Sequence, residues 1–310
     1  MAHIYVFSPS GAVRDKLAFR RGLQRLKTLG HDVEVDGAAL SSHTRFAGDD
    51  ATRLAAIHRA AVAGADVALI SRGGYGLTRL LPELRYGILA KAVAKGTRFV
   101  GMSDFTAFQN ALLARTGAVT WAGPALGEDF GAETPDDIME ACFDDLLSGQ
   151  GEGAGWQLSR ATRQAYADRK PGVWARDAVL WGGNLAVLTS LLGTPYLPQI
   201  DKGVLFFEDI AEHPYRVERM LTQWLHAGIL AKQKAIVLGQ FTQYKLTPHD
   251  KGFKLDSVVA WLRQQLKIPV LTDLPFGHVP TKVCLPVGAS THLLVQERDA
   301  LLLWAHAHPA

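Results

Sequence analysis

A sharp turn from strand to helix is encoded by Thr97-Arg98-Phe99-Val100-Gly101-Met102-Ser103-Asp104-Phe105. Apolar residues before Gly101 predict a strand, and Phe105, Phe108 and Leu112 begin a helical pattern. Such a turn raises the Ser103 side chain above the sheet edge and directs the first free amides of the helix toward it. A serine nucleophile needs that arrangement. An ordinary helix N-cap gives the same local pattern, so the rest of the chain must decide between the two interpretations.

Short apolar strands alternate with helices through the first half of the chain, which predicts an α/β fold with a mostly parallel sheet covered on both faces. The predicted strands are His3–Phe7, Asp32–Val35, Val67–Ile70, Arg98–Val100 and Val119–Ala122. The first predicted helix ends at Leu29 with Leu17, Leu23 and Leu26 facing inward. A later helix is expected from Pro135 to Leu147, with Thr134 as its cap.

The length of 310 residues favours two domains. The glycine-rich run 149–155 interrupts the strand–helix rhythm, and we expect the linker there. The sequence therefore predicts an α/β domain over 1–148, a linker over 149–175 and a second domain over 176–310. The second domain is expected to end in strands over Pro280–Pro286 and Leu293–Gln296.

Composition narrows the function classes. Hydrophobic residues make up 48% of the chain and the net charge is only +3, without a dense basic block, so neither nucleic acid nor a membrane is an expected partner. The beginning of the chain does not resemble a signal peptide, and Cys142 and Cys284 show no metal or redox spacing. We expect a cytoplasmic protein with reduced thiols.

A glycine-rich loop, Arg72-Gly73-Gly74-Tyr75-Gly76, follows the strand Val67–Ile70. At the carboxyl end of a strand, glycines let backbone N–H groups approach an anion or an oxyanion. A dinucleotide-binding loop is the competing interpretation, but Arg79 stands where the third glycine of that motif belongs.

Two further residues could complete an acyl-transfer site. Glu208 directly follows four apolar residues of a predicted strand, a position where orienting a histidine, capping a helix or a salt bridge would justify a carboxylate; Asp209 is its rival. His278 lies in a loop rich in proline and glycine and is either a general base or a surface histidine. No metal-ligand spacing appears, so no metal or cofactor is predicted. The order serine, glutamate, histidine matches the α/β-hydrolases, but the segment at Ser103 lacks their second glycine.

Together these segments resemble the LD-carboxypeptidase family of serine peptidases, the bacterial muramoyltetrapeptide carboxypeptidases. They occur in the family's order and extend over nearly the whole chain. The matching pieces are Ser8-Pro-Ser-Gly11, Arg72-Gly-Gly-Tyr-Gly76, Gly101-Met-Ser-Asp-Phe105, Trp181-Gly-Gly-Asn184, Glu208-Asp-Ile210, Glu212-His-Pro214, Arg216-Val-Glu-Arg219 and Gly277-His278.

The resemblance implies a flavodoxin-like first domain and a smaller, β-rich, swivelling second domain, with the active site between them. It implies that Ser103 is the nucleophile, His278 the base and Glu208 the residue that orients it. The oxyanion donors would be the amides of Asp104 and of the Gly73–Gly74 turn. The implied protein is a cytoplasmic homodimer that acts on recycled cell-wall peptides.

The implied reaction releases the terminal D-alanine of a murein tetrapeptide through an acyl-enzyme. An exopeptidase also needs a group for the terminal carboxylate; Arg72 is a candidate, although its side chain could equally brace the loop. One alternative is the microcin-immunity branch of the same family, which would need an aromatic platform such as Trp156 or Trp174. Another is a non-catalytic binder of peptide or sugar fragments, which would gain nothing from a serine, glutamate and histidine together.

Overall fold

The computed structural model describes residues 1–304 of the chain. Its α-helices are α1 Lys16–Thr28, α2 Asp50–Val62, α3 Tyr86–Ala94, α4 Phe105–Thr116, α5 Asp137–Ser148, α6 Arg160–Ala165, α7 Leu185–Ser190, α8 Pro214–His226 and α9 Leu255–Gln265. Its strands are β1 His3–Phe7, β2 Asp32–Val35, β3 Val67–Ile70, β4 Arg98–Gly101, β5 Thr120–Ala122, β6 Gly153–Gln157, β7 Gly172–Asn184, β8 Val204–Ile210, β9 Ala235–Thr242, β10 Val270–Leu271, β11 Leu285–Val287, β12 Ser290–Val295 and β13 Asp299–Trp304.

The first sheet has the strand order β11-β5-β4-β3-β1-β2, and β1 to β5 are parallel. Without β11 this is the order 2-1-3-4-5 that is typical of the flavodoxin-like doubly wound fold. The predicted fold class is confirmed. Because the strands are parallel, the segments that follow β3 and β4 meet at one edge of the sheet, where such folds bind ligands.

Helix α4 separates the two parts of the molecule and is apolar around most of its circumference. Every residue from Phe105 to Leu113 is buried, and the stacked rings of Phe105 and Phe108 lie 4.7 Å apart. A helix that is buried on all sides needs partners on two faces. It contacts the first sheet on one side and β7 and α7 on the other.

The second sheet has the order β10-β9-β8-β7-β12-β13-β6. Its β7 to β10 half is parallel, and its other half is antiparallel. Helices α7 to α9 also lie within this second part. The parallel half places the carboxyl end of β8 at the edge where β7 enters α7.

Strand β11 belongs to the second half of the chain but pairs with β5 of the first sheet, antiparallel, with Leu285 opposite Ala122. The next strand, β12, returns to the second sheet and pairs with β7 and β13. Consecutive strands near the carboxyl end of the described region, β11 and β12, therefore belong to different sheets. Only the last part of the predicted strand Pro280–Pro286 is a strand.

The fold corrects further sequence expectations. The predicted linker, 149–175, contains β6 and α6 together with the beginning of β7. Alternate residues of β6 are buried, including Trp156, and the glycines between them fit its exposed face, so the composition that resembled a linker encodes an edge strand. Helix α5 begins at Asp137 with Asp136 as its cap, because the Asp136 carboxylate accepts the Met139 N–H.

Leu17, expected to face inward, is 65% exposed, because the buried side of α1 is formed by Ala18, Phe19, Gly22 and Leu26. Within residues 1–304, none of the helices combines the length and the apolar character that crossing a membrane requires.

Candidate active site

Ser103 lies in a strained turn between β4, which ends at Gly101, and α4, which begins at Phe105. Its φ of 62° is in the left-handed region, which non-glycine residues seldom adopt. Asp104 follows with helical angles and is the N-cap of α4, so the N-cap interpretation of Ser103 is wrong. As the N-cap, Asp104 also has a backbone N–H without an acceptor inside the helix.

The glycine-rich loop after β3 packs directly against Ser103. A methyl group added at Gly73 would lie 2.6 Å from Ser103 Cβ and 2.7 Å from its Oγ, so only glycine permits this approach. Gly74 has a φ of 118°, which also favours glycine. The Gly73 carbonyl accepts the Gly11 N–H at 3.1 Å, which fixes the loop against the turn after β1.

His278 and Glu208 form a hydrogen-bonded pair. The distance from His278 Nδ1 to Glu208 Oε2 is 2.8 Å, and the Glu208 side chain is fully buried in β8, two residues before the strand ends. The His278 side chain is 13% exposed, so its ring is accessible from one side. A carboxylate on Nδ1 leaves Nε2 as the nitrogen that can accept a proton.

Burial lowers the pKa of His278, but the hydrogen bond and the negative charge of Glu208 outweigh it and raise the pKa above its ordinary value. Glu128 adds to this increase and Lys282 opposes it. A histidine with a raised pKa is a stronger proton acceptor once it is neutral, which suits a general base.

Asp209, the rival of Glu208, has other partners. Its carboxylate accepts the backbone N–H groups of Ala186 and Ile210 and an amide hydrogen of Asn184. Burial, and then the charge of Glu208, raise the pKa of Asp209 to about 6. Of the two neighbouring carboxylates it is Glu208 that contacts His278.

Asn184 joins the carboxylates to the helix that follows Ser103. Its Nδ2 donates to Glu208 Oε1 at 3.2 Å and to Asp209 Oδ1 at 2.9 Å, and its backbone N–H donates to Thr106 Oγ1 at 3.1 Å. Sequence reasoning included Asn184 in a motif but assigned it no role. The signal was its position directly after two glycines at the end of a predicted strand.

The close approach of β7 to α4 explains those glycines. Asn110 Nδ2 donates to the Gly182 carbonyl at 2.9 Å. Gly183 has a φ of 135°, and a methyl group there would lie 2.5 Å from Thr106 Oγ1. Side chains of α4 therefore contact the backbone of β7 directly.

A cavity of about 380 Å³ opens beside this cluster, and its lining includes His278 together with Met102, the residue before Ser103. Residues from both parts of the chain form its walls. Sequence reasoning missed one feature of this wall, a buried ion pair between Lys282 and Asp129. No local pattern could reveal it, since the partners are 153 residues apart.

Arg72 points its guanidinium at neighbouring loops. Its Nη1 donates to the Ala12 carbonyl at 3.1 Å, and its Nε lies 3.8 Å from Glu128. The side chain braces the turn after β1, which is one of the two roles considered for it. Binding of a substrate carboxylate by Arg72 stays a prediction.

The two tryptophans suggested as an aromatic platform lie elsewhere. Trp156 is 7% exposed and donates its indole N–H to the Thr272 carbonyl. Trp174 lines a different cavity, with Tyr166 and Arg169. Neither lines the cavity beside His278.

Within residues 1–304, histidine, cysteine, aspartate and glutamate side chains form no group of three or more that could hold a metal ion. Independence from metals stays a prediction. The arrangement supplies a serine in a strained turn, a glycine-rich loop packed against it and a histidine hydrogen-bonded to a buried carboxylate, which are groups that acyl transfer can use.

Two protein-family models match this chain. The model described as LD-carboxypeptidase N-terminal domain matches residues 4–123, and the model described as LD-carboxypeptidase C-terminal domain matches residues 177–293. The first match contains Ser103 and the glycine-rich loop, whereas the second contains Glu208 and His278.

Individual relatives agree with these matches. A crystal structure of muramoyltetrapeptide carboxypeptidase from Oxalobacter formigenes is 40% identical, covers 97% of each chain and superposes with a TM-score of 0.85. A probable murein peptide carboxypeptidase of Bacillus subtilis is 29% identical over 89% of this chain and 84% of the relative. The microcin C7 self-immunity protein of Escherichia coli is 25% identical over 70% of this chain and 67% of the relative.

Proposed function

The chain belongs to the LD-carboxypeptidase family and is a serine carboxypeptidase; from that premise we propose that it removes the terminal D-alanine from murein tetrapeptides. Ser103 is the nucleophile in this proposal, His278 the general base and Glu208 the residue that orients His278. The observation that supports these roles most strongly is the 2.8 Å bond between His278 and the fully buried Glu208.

The first half of the reaction forms an acyl-enzyme. His278 Nε2 accepts the Ser103 hydroxyl proton as Oγ attacks the carbonyl carbon of the third peptide residue. The tetrahedral intermediate collapses, His278 returns the proton to the amine of D-alanine, and D-alanine leaves. Glu208 keeps the Nδ1 proton in place and stabilises the transient imidazolium.

The developing oxyanion is stabilised by backbone amides in this account. The Asp104 N–H at the start of α4 and the amides of the Gly73–Gly74 turn are the proposed donors. The close packing of Gly73 on Ser103 supports this assignment. Each such donor contributes about 3 kcal/mol to lowering the barrier.

Water completes the cycle by attacking the ester under general-base catalysis by the same histidine. The released tripeptide fits a role in cell-wall peptide recycling. We further propose that the protein acts in the cytoplasm as a homodimer and without a nucleic-acid or membrane partner. Arg72 remains our candidate for contacting the substrate's terminal carboxylate.

Incubation with a free murein tetrapeptide tests the proposal. We expect D-alanine and the matching tripeptide in the mass spectrum. A tetrapeptide that ends in L-alanine is the matched control and should stay intact if the leaving residue must have the D configuration. Release of neither alanine would contradict the proposal.

A second arm uses an aminoacyl sulfamoyl adenosine, the kind of ligand found in a microcin self-immunity protein structure. That fold is shared with this chain at 23% identity and a TM-score of 0.83. The burial of Trp156 and the separate cavity at Trp174 do not favour this substrate. Cleavage of the nucleotide analogue, with the tetrapeptide left intact, would replace our proposal with the microcin-immunity alternative.

A further inference from the structure

The chain that follows His278 leaves the second sheet and crosses to the first. Thr281 and Lys282 bind side chains of the first domain, and β11 then joins the first sheet beside β5. Only at β12 does the chain return to the second sheet. The residue proposed as the base therefore lies just before a segment that is attached to the domain of the proposed nucleophile.

On the side of the second sheet, the first part of this loop is attached through the Gln240 N–H, which donates to the Phe276 carbonyl at 2.9 Å, and through the bond between His278 and Glu208. Residues 272–284 form neither helix nor strand. The His278 carbonyl accepts a long hydrogen bond of 3.4 Å from Thr242 Oγ1, and Gly277, with a φ of 141°, precedes it. A loop without regular backbone pairing depends on side-chain contacts for a defined conformation.

Beyond His278, two side-chain contacts attach the loop to the first domain. Thr281 Oγ1 donates to Asp136 Oδ2 at 2.6 Å, and Asp136 also caps α5. Lys282 Nζ donates to Asp129 Oδ1, while Asp129 Oδ2 accepts the Ala125 N–H at 2.7 Å. Both carboxylates are thus held by backbone amides and present fixed partners to the loop.

The pair of Lys282 and Asp129 is buried almost completely. The exposed fractions of the two side chains are 4% and 3%. Burying two charges costs several kcal/mol of desolvation, which their attraction offsets only when the geometry is good. Apolar residues at these positions would stabilise the fold equally well. An ion pair, in contrast, also restricts how the loop can lie against the domain.

We propose that Lys282 and Asp129 are a positioning pair that holds His278 in reach of Ser103. The inference rests on the proposed function, since it takes His278 as the base. Lys282 touches neither reacting atom in this account; it acts by fixing the segment four residues beyond the imidazole. The pair joins the two domains at the wall of the cavity that His278 also lines.

The variant Lys282→Met tests this directly. We expect a kcat about 100-fold lower, because a displacement of about 1 Å can cost that much. KM should change by less than about threefold, since Lys282 does not bind substrate in this account. An unchanged kcat in a folded variant would overturn the proposal, and so would a large rise in KM alone.

The ion pair of Arg25 and Glu140 offers a matched control. It joins α1 to α5 inside the first domain, with two bonds of 2.6 Å. Arg25→Met should lower thermal stability and leave kcat unchanged. A comparable loss of kcat in Arg25→Met would show that general destabilisation explains the effect and would overturn the positioning role.

Lys282→Met leaves the Asp129 carboxylate buried without its cation, which could prevent folding. The double variant Lys282→Met/Asp129→Leu removes both charges and keeps the test valid. We expect its kcat to stay low although its stability recovers. Recovery of the wild-type kcat would show that the unpaired Asp129 carboxylate causes the loss of kcat in Lys282→Met, and it would overturn the proposal.

Hydrogen exchange separates this inference from the proposed function, because it needs no turnover. Amides of residues 278–287 should exchange faster in Lys282→Met and in the double variant, and at the wild-type rate in Arg25→Met. If the wild-type protein releases no D-alanine, the proposed function fails. Unchanged exchange over 278–287 would instead overturn the positioning pair, whatever the activity.

Discussion

The two sides of the proposed active site are placed by different means. Ser103 is held by its own neighbours, because β4 ends two residues before it and α4 begins two residues after it. His278 depends on partners far away in sequence: Glu208 is 70 residues away, and the loop behind His278 is held by Asp129, 153 residues from Lys282. One side is a local motif, whereas the other is a product of the tertiary fold.

This difference decides where substitutions should have consequences. A strained turn between two buried elements keeps its shape as long as those elements fold, so the nucleophile side should tolerate changes elsewhere in the chain, apart from the glycine-rich loop that packs on Ser103. A loop whose position is set by long-range contacts should respond to changes at those contacts. Substitutions on each side can therefore test the two sides separately.

Ser103→Ala and His278→Ala should each lower kcat by about a million-fold, as in other serine peptidases where these groups act as a unit. Equal losses would show that both sides are needed equally although they are placed differently. D-alanine release measures the effect, and circular dichroism verifies the fold. Turnover near the wild-type level in either variant would remove that residue from the catalytic set.

Glu208→Gln should lower kcat by about ten-thousand-fold, because the amide no longer holds His278 in the required tautomer. This substitution affects only the side of the site that is built by long-range contacts. The matched variant Asp209→Asn removes the neighbouring carboxylate, which does not touch His278, and should cost far less. Equal losses in the two variants would contradict the assignment of Glu208.

The variant Glu208→Gln should also change the pH dependence of kcat/KM. His278 must be neutral to accept the proton, and its pKa is raised above the ordinary 6.5 because Glu208 outweighs burial. Wild-type kcat/KM should therefore rise with pH and level off above that raised pKa. In Glu208→Gln the lowering effect of burial dominates, so the rising limb should move to lower pH; a shift to higher pH would be incompatible with this account.

Gly73→Ala tests the side of the nucleophile and should lower kcat by about 100-fold. The added methyl group would lie 2.6 Å from Ser103 Cβ, so either the serine or the proposed oxyanion amides must move. Gly87→Ala is the matched control, because nothing lies within 4 Å of a methyl group there and the residue is in helix α3. A Gly73→Ala variant as active as Gly87→Ala would show that the loop does not support Ser103.

Chelators should have no effect on activity, because every catalytic group in this account is a protein side chain or amide. The measurement is D-alanine release after dialysis against EDTA, with and without added zinc. Loss of activity that zinc restores would contradict a purely serine-based mechanism.

What the sequence could predict follows the same division. The alternating strands, the turn at Ser103 and the glycine-rich loop are local patterns, and the structure has them where the sequence predicts them. These patterns predict the α/β class, and the family resemblance carried by the motifs implies the flavodoxin-like fold. The contact between His278 and Glu208 was implied by resemblance, since spacing alone left Asp209 equally eligible.

The features that could not be predicted are those that long-range packing creates. Strand β6 resembles a linker because two of its three exposed residues are glycines, and only its pairing with β13 shows that it is a strand. The pairing of β11 with β5 and the ion pair of Lys282 with Asp129 produce no periodic pattern in the local sequence, so the sequence could not predict them. Leu17 is exposed because α1 is oriented with Phe19 and Leu26 on its buried side.

The central claim is that residues from two domains act as one catalytic unit, and the double variant Ser103→Ala/Glu208→Gln measures this most directly. Residual catalysis by the remaining site keeps Ser103→Ala measurable above the uncatalysed rate. The account predicts that adding Glu208→Gln to Ser103→Ala leaves kcat unchanged within a few-fold, since orienting His278 has no value without the nucleophile. A further loss as large as Glu208→Gln causes in the wild-type protein would show that the residues act independently and would contradict the account.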